Sequence, residues 1–252
     1  MVTRVLTVSL LAGLLAGLLI SALQHVTTTP LILKAETYEA ALRAQPAPMQ
    51  AAFNGEARIH LAHGPAAHGD KGVGDEHEWK PQDGFQRTAF TSLVTIGTAI
   101  GFAALLLAGM IAVNERIDER RALAWAVCGF LAFGLAPAMG LAPELPGAAA
   151  AELQHRQLWW LMTAAVTAGA LFVFLRVEAS WARALAVLAL LLPHLIGAPH
   201  PAAPESRVPA EIAAHFAALS LAIQAALWLA TGFAVGVLWP WAARRSAATA
   251  AA

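Results

Sequence analysis

Charge is scarce in this 252-residue chain: 13% of residues are charged, against 58% hydrophobic. Soluble domains carry about 25% charge, so a single water-soluble core is excluded. Intrinsic disorder is excluded as well, because it needs low hydrophobicity and high charge. No excess of one sign exists either: sixteen Lys+Arg balance sixteen Asp+Glu. Without a basic surplus the chain has nothing to hold a phosphate backbone, and nucleic acid is not a partner. A single cysteine, Cys128, rules out an internal disulfide framework or a cysteine-built zinc site. The P-loop pattern Gly-x4-Gly-Lys-Ser/Thr is missing, and so are Gly-x-Ser-x-Gly and His-Glu-x-x-His. No catalytic constellation stands out, and we read a protein that is not an enzyme.

What is present is long apolar runs. A membrane-spanning helix needs about 20 mainly apolar residues. Six runs fit, at about 5–26, 89–113, 122–142, 158–175, 182–199 and 212–239. The fold class is therefore all-α: a polytopic integral membrane protein of six transmembrane helices in one membrane domain over 1–252, with one large extracytoplasmic loop. The fifth run is the weakest, trimmed by Arg183 and interrupted by Pro193. Five spans with 182–199 re-entrant is the alternative. Six is preferred because Arg4, Arg116, Arg120, Arg121, Arg176, Arg183, Arg244 and Arg245 then share the side of the short loops, which is the cytoplasmic side. Both termini are expected there. The first run is longer than a signal-peptide core and is read as an uncleaved helix.

Three spans carry Gly-x-x-x-Gly: Gly13/Gly17, Gly97/Gly101 and Gly232/Gly236. This spacing lets helix backbones approach closely in lipid, and all three are read as packing. Trp159 and Trp160 open the fourth span as an aromatic belt.

Metal-binding chemistry is the main functional lead. The outer loop, 27–87, opens with Pro30 and a short helix from Lys34 to Ala44, then carries His60, His63, His68 and His77. His77 lies within Asp75-Glu76-His77-Glu78, and the loop is mildly acidic. Such a tract suits divalent cations. The second half holds a faint parallel repeat. Pro137-x5-Pro143 encloses Gly140, and Pro193-x5-Pro199 encloses Gly197. Each is followed by a helix start with an acid and a histidine, Glu152/His155 and Glu211/His215. Spacings of three and four put both side chains on one helical face, and Glu-x-x-His is the ligand spacing of carboxylate di-metal bundles.

His194, inside a span directly after Pro193, is the sharpest single candidate. Ionisable residues within spans, and helices interrupted by proline, point to transport sites. His25 closes the first span on the same side. Glu144 is held between Pro143 and Pro146 as a pre-oriented carboxylate. Imidazole, carboxylate and water suit Co, Ni, Zn or Fe rather than Cu(I). Glu144, His194, Glu211 and His215 are expected to line one outer mouth, with His25, His77, Glu152 and His155 as further metal ligands. A b-type haem held axially by His25 and His194 is another reading. No permanent cofactor is expected otherwise.

Several stretches together resemble the CbtA family of cobalt-transporter subunits. They are Gly13–Gly17, Pro30–Leu33 with Glu36 and Glu39, and Trp79-Lys-Pro-Gln-Asp83-Gly84-Phe-Gln-Arg87-Thr88. Ala136–Gly147, Arg156–Trp160, Leu192–Pro199 and Val208–Glu211 complete the series, in order along nearly the whole chain. Members of that family are described with five spans, one fewer than counted above. The resemblance implies uptake of Co²⁺ (Ni²⁺ as the alternative) across a bacterial cytoplasmic membrane. It also implies a small single-span CbtB partner with a histidine-rich tail. It brings no ligand set. A metal-sensing or accessory subunit that does not itself transport is the competing function.

Overall fold

The computed structural model describes residues 1–43, 81–201, 206 and 208–250. All of its regular structure is helical. The helices are α1 (Val2–Val26), α2 (Thr28–Arg43), α3 (Phe85–Ala112), α4 (Glu119–Ala138), α5 (Leu153–Arg176), α6 (Ser180–Ile196) and α7 (Ala210–Ala250). Residues Leu131–Leu135 of α4 form a π-helical segment. Among the described residues, five helices are long and apolar enough to cross a membrane: α1, α3, α4, α5 and Ala210–Arg245 of α7. The remaining expected span, 182–199, is a helix of 17 residues and falls below that length. Nor does Pro193 break it. The helix runs through the proline to Ile196 and stops at Gly197, whose φ of 89° favours a residue without a Cβ.

The bundle has two ends. At one, Arg4 donates to the Trp239 carbonyl (2.6 Å) and lies over the Trp239 ring, joining the start of α1 to the far part of α7. At the same end Glu115, after α3, pairs with Arg121 of α4 and Arg176 of α5. Arg183 of α6 donates to the Val177 carbonyl there (2.9 Å). At the other end Ala35 of α2 packs with Leu145 and Val208, and with Ile212 and Phe216 of α7. We call these the arginine end and the loop end. α6 starts beside the close of α5 and returns until His194 meets Trp159. It thus carries the chain back to the loop end, so that α7 can run the other way. The chain makes six passes between the two ends, and the shortest is α6.

Lipid tails are as apolar as leucine, so burial of large side chains cannot hold such helices together. Between 28% and 39% of each spanning window is buried. Many of the buried positions are small, among them Ala12, Ala16, Ala99, Ala103, Ala122, Ala126 and Ala132, and they surround a few large side chains, Val8, Ile20, Leu107, Met110 and Trp228. Leu14, Leu15, Leu18, Leu93, Leu185 and Leu188 are exposed on the outside. α1 packs on both α3 and α7, α4 packs on α7, and glycine marks two of these antiparallel pairs. A Cβ at Gly13 would overlap the Ile100 backbone, and one at Gly17 would sit 2.6 Å from the Ile96 Cα, so α1 lies backbone-on-backbone against α3. Gly232 and Gly236 of α7 press likewise on Ala126 and Glu119 of α4. Gly97 and Gly101 correct the third packing expectation. None of the described residues lies within 4 Å of a Cβ at either, because this face of α3 points away from α1.

Burial alone would push the Glu115 carboxyl up, but the Arg121 and Arg176 guanidiniums outweigh it and hold the group below the usual carboxylate range. A depressed native value means that this pairing stabilises the fold above the unfolded value. The contribution is lost as pH falls from about 4.5 toward the native value. Glu115→Gln should therefore lower the melting point in detergent at pH 7 and flatten its decline below about pH 4.5. Gly17→Ala should cost about 1–3 kcal/mol through overpacking. Gly97→Ala should be neutral or slightly stabilising. Thermal unfolding of the two variants checks the contrast.

Candidate functional site

Among the described residues, no three His, Cys, Asp or Glu side chains come together as a metal-holding group. The four residues expected at one mouth are therefore not gathered into such a group, and local contacts show what each does instead. Glu144 is engaged: Arg156 of α5 bonds its carboxylate at 2.7 Å. Glu152 and His155 do meet, as their spacing predicts, but as an exposed pair with each other (3.1 Å) at the start of α5. Glu211 and His215 are exposed on the first turns of α7. His77, with His60, His63 and His68, lies outside the described residues.

His194 sits one residue beyond the buried Pro193, with its ring edge-on to Trp159 at 6.1 Å. This is where the two halves of the faint repeat touch. A Cβ on Gly140 would strike the Trp159 ring, and would lie 2.9 Å from the Ala198 Cβ. The two Pro-x5-Pro turns are thus neighbours, seamed by Gly140, Ala198 and Trp159. Among the described residues, the buried Trp159 indole N–H has no acceptor.

His25 belongs to a different neighbourhood. It lines a polar cleft of about 190 Å³ with Ser21, Gln24, Thr29, Arg87 and Thr91. Gln24 accepts from Thr95 (2.9 Å), and the buried Ser21 hydroxyl has no partner among the described residues. With His25 in the α1–α3 cleft and His194 on the α5–α6 seam, the pair considered for axial haem ligation is not assembled.

Two features escaped the sequence reading. The first is a clamp: Arg87 of α3 takes both carboxylate oxygens of Glu36 on α2 (2.8 Å to Oε2) and also holds Asp83 at 3.2 Å. It fixes α2 over the loop end. Partners 51 residues apart carry no spacing signal. The second lies in the interior of α4. Proline has no N–H to donate one turn back, so Pro137 leaves the Phe133 carbonyl without its helical partner. In hydrocarbon such a group must be satisfied, and Gln224 of α7 reaches it with Nε2 at 3.4 Å. The π-helical segment sits at this point, and such segments mark functional positions frequently.

Phe133 also stacks on Trp228 (5.8 Å), which stacks on Phe102 (4.5 Å), and it tilts against Trp160 (6.0 Å). This aromatic layer separates two cavities. One, about 330 Å³, faces the loop end with Gly134, Pro137, Arg156, Gln157 and Gln224. The other, about 460 Å³, lies toward the arginine end.

The family model described as "Probable cobalt transporter subunit (CbtA)" matches residues 2–240. The chain belongs to the CbtA family. No curated protein and no solved structure matches it. The CbtA match fits an all-helical, multi-pass membrane subunit of a transport system rather than an enzyme. It says nothing of which residues touch metal.

Gln224→Leu should leave the Phe133 carbonyl bare and cost about 1–3 kcal/mol. Adding Pro137→Ala, which restores an N–H to the helix, should recover most of that loss. Melting points of the two single variants and the double variant test the pairing.

Proposed function

We propose that this CbtA chain is the membrane subunit of a Co²⁺ uptake transporter, with Ni²⁺ the alternative cargo. It sits in a bacterial cytoplasmic membrane with the arginine end and both termini inside. One observation carries the reading: the histidines are segregated. Among the described residues, His25, His155, His194 and His215 all lie toward the loop end. Imidazole is a ligand of choice for Co²⁺ and Ni²⁺, and these residues offer it at that end.

The ion is gathered by the loop histidines, His77 among them, and then handed to donors on the helices. His194 is foremost, since no hydrogen bond to it forms among the described residues and it stands at the seam of the two proline turns. Glu211 and His215 supply a second donor pair. Glu144, Glu152 and His155 are already paired, so they serve only after exchanging those partners for metal. His25 serves the neighbouring cleft. A CbtB-type partner with a histidine-rich tail would complete the coordination sphere.

A second reading has a specific observation behind it. No three donors meet among the described residues, which suits a subunit that gathers or senses metal for another protein to conduct.

His194→Ala should reduce cellular cobalt accumulation at least fivefold at unchanged abundance in the membrane. Uptake at the parental level would remove His194 from the pathway. Cobalt flux into proteoliposomes holding the chain alone, then the chain with a CbtB-type partner, separates transport from an accessory role.

A further inference from the structure

The cavity toward the arginine end is not built for a hydrated cation. Its walls are Leu105, Leu106 and Gly109 of α3, Trp125, Cys128 and Gly129 of α4, Ala168, Leu171, Phe172 and Leu175 of α5, and Trp228 of α7. Its charged groups are confined to the mouth: Glu115, Arg121 and Arg176. At about 460 Å³ it lies within the range of ligand pockets, about 300–1,000 Å³.

Two observations say what fills it. First, it opens sideways. α3 and α5 do not pack along one another, and Leu105, Phe172 and Leu175, which flank the gap, are 46%, 45% and 60% exposed. The cavity is a cleft between two spans, floored by α4 and α7, and its natural neighbour is the hydrocarbon of the bilayer. Second, the mouth carries a surplus of positive charge. Glu115 is 9% exposed and takes one nitrogen from each of two arginines, while Asp118 pairs with Arg121 Nε and with Arg116 Nε at 3.6 Å each, so three arginines face two carboxylates and one net positive charge remains. Arg121 and Arg176 remain 53% and 40% exposed, with N–H groups to spare. An apolar cleft ending in a guanidinium pair at headgroup depth matches a molecule with an acyl chain and an anionic phosphate.

We infer that this cleft is a binding site for an anionic phospholipid, one acyl chain between α3 and α5 and the phosphate on Arg121 and Arg176. The site stands apart from the metal reading and holds whichever ion the chain handles.

The test uses the full-length protein, purified in mild detergent and titrated with phosphatidylglycerol or phosphatidylcholine. Retained lipid is counted by native mass spectrometry. Phosphatidylglycerol should be retained at least fivefold more than phosphatidylcholine, and Arg121→Gln/Arg176→Gln should erase the difference. Equal retention of the two lipids by the parent protein overturns the proposal. So does undiminished selectivity in a double variant that keeps its size-exclusion profile.

Should that variant fail to fold, because it strands Glu115, Ala168→Phe fills the cleft without touching the mouth. It should lose lipid retention while both arginines remain, and retention at the parental level overturns the site. Cys128, the only cysteine and a wall residue, gives an independent readout. Phosphatidylglycerol should slow its alkylation by a membrane-permeant maleimide at least threefold. Inorganic phosphate at equal concentration should not. Equal protection by phosphate, or none by the lipid, overturns the acyl-chain placement. So would a co-purified single-span helix cross-linked to Cys128.

Discussion

Close approach of helix backbones is the constraint on which this molecule rests. In hydrocarbon, apolar side chains gain nothing by leaving lipid for protein, so helices adhere only where surfaces fit and polar groups meet. The chain answers with two antiparallel pairs, α1 on α3 and α4 on α7. In each, glycine removes the side chain that would hold the backbones apart. α5 and α6 join this frame more loosely, through Trp159, Phe133 and the proline turns. The cleft on the arginine side and the turns on the loop side both lie where α5 meets the tight pairs.

Polar contacts then decide which end is which. At the arginine end they are shared among elements: Glu115 gathers Arg121 and Arg176, and Arg4 ties the start of α1 to α7. At the loop end they clamp secondary pieces onto the frame, as Arg87 does with Glu36 and Arg156 with Glu144. Between the ends, one cross-helix bond carries a disproportionate duty. Gln224 supplies to Phe133 the donor that Pro137 withholds.

Much of the fold was readable from residues alone. Hydropathy located the five long spans to within about six positions at each end, since twenty apolar residues in a row have few other uses. Arginine placement favoured six spans, but among the described residues five helices are long and apolar enough to cross, and α6, at 17 residues, is the expected span that falls short. Gly13/Gly17 and Gly232/Gly236 were correctly read as packing. Gly97/Gly101 was not, because spacing shows which face of a helix is small but not which neighbour it meets. The same limit governs the metal donors. Spacing put Glu152 beside His155, and they do pair. It could not show that Arg156 occupies Glu144, or that His25 and His194 belong to separate neighbourhoods. These are facts of tertiary arrangement between residues far apart in the chain. The Gln224–Phe133 bond lay beyond reach for the same reason, although Pro137 already announced a carbonyl in need of a donor.

The brevity of α6 bears on the solvent around it. Seventeen residues rise about 26 Å, against a hydrocarbon thickness of about 30 Å. A bilayer beside a helix that short thins to match it, at a cost of fractions of a kcal/mol per ångström. Thinning at α6 would bring the headgroup layer and its water inward at one point of the protein's circumference. His194 lies in the last turn of that helix, so it is the residue such a dip would wet first.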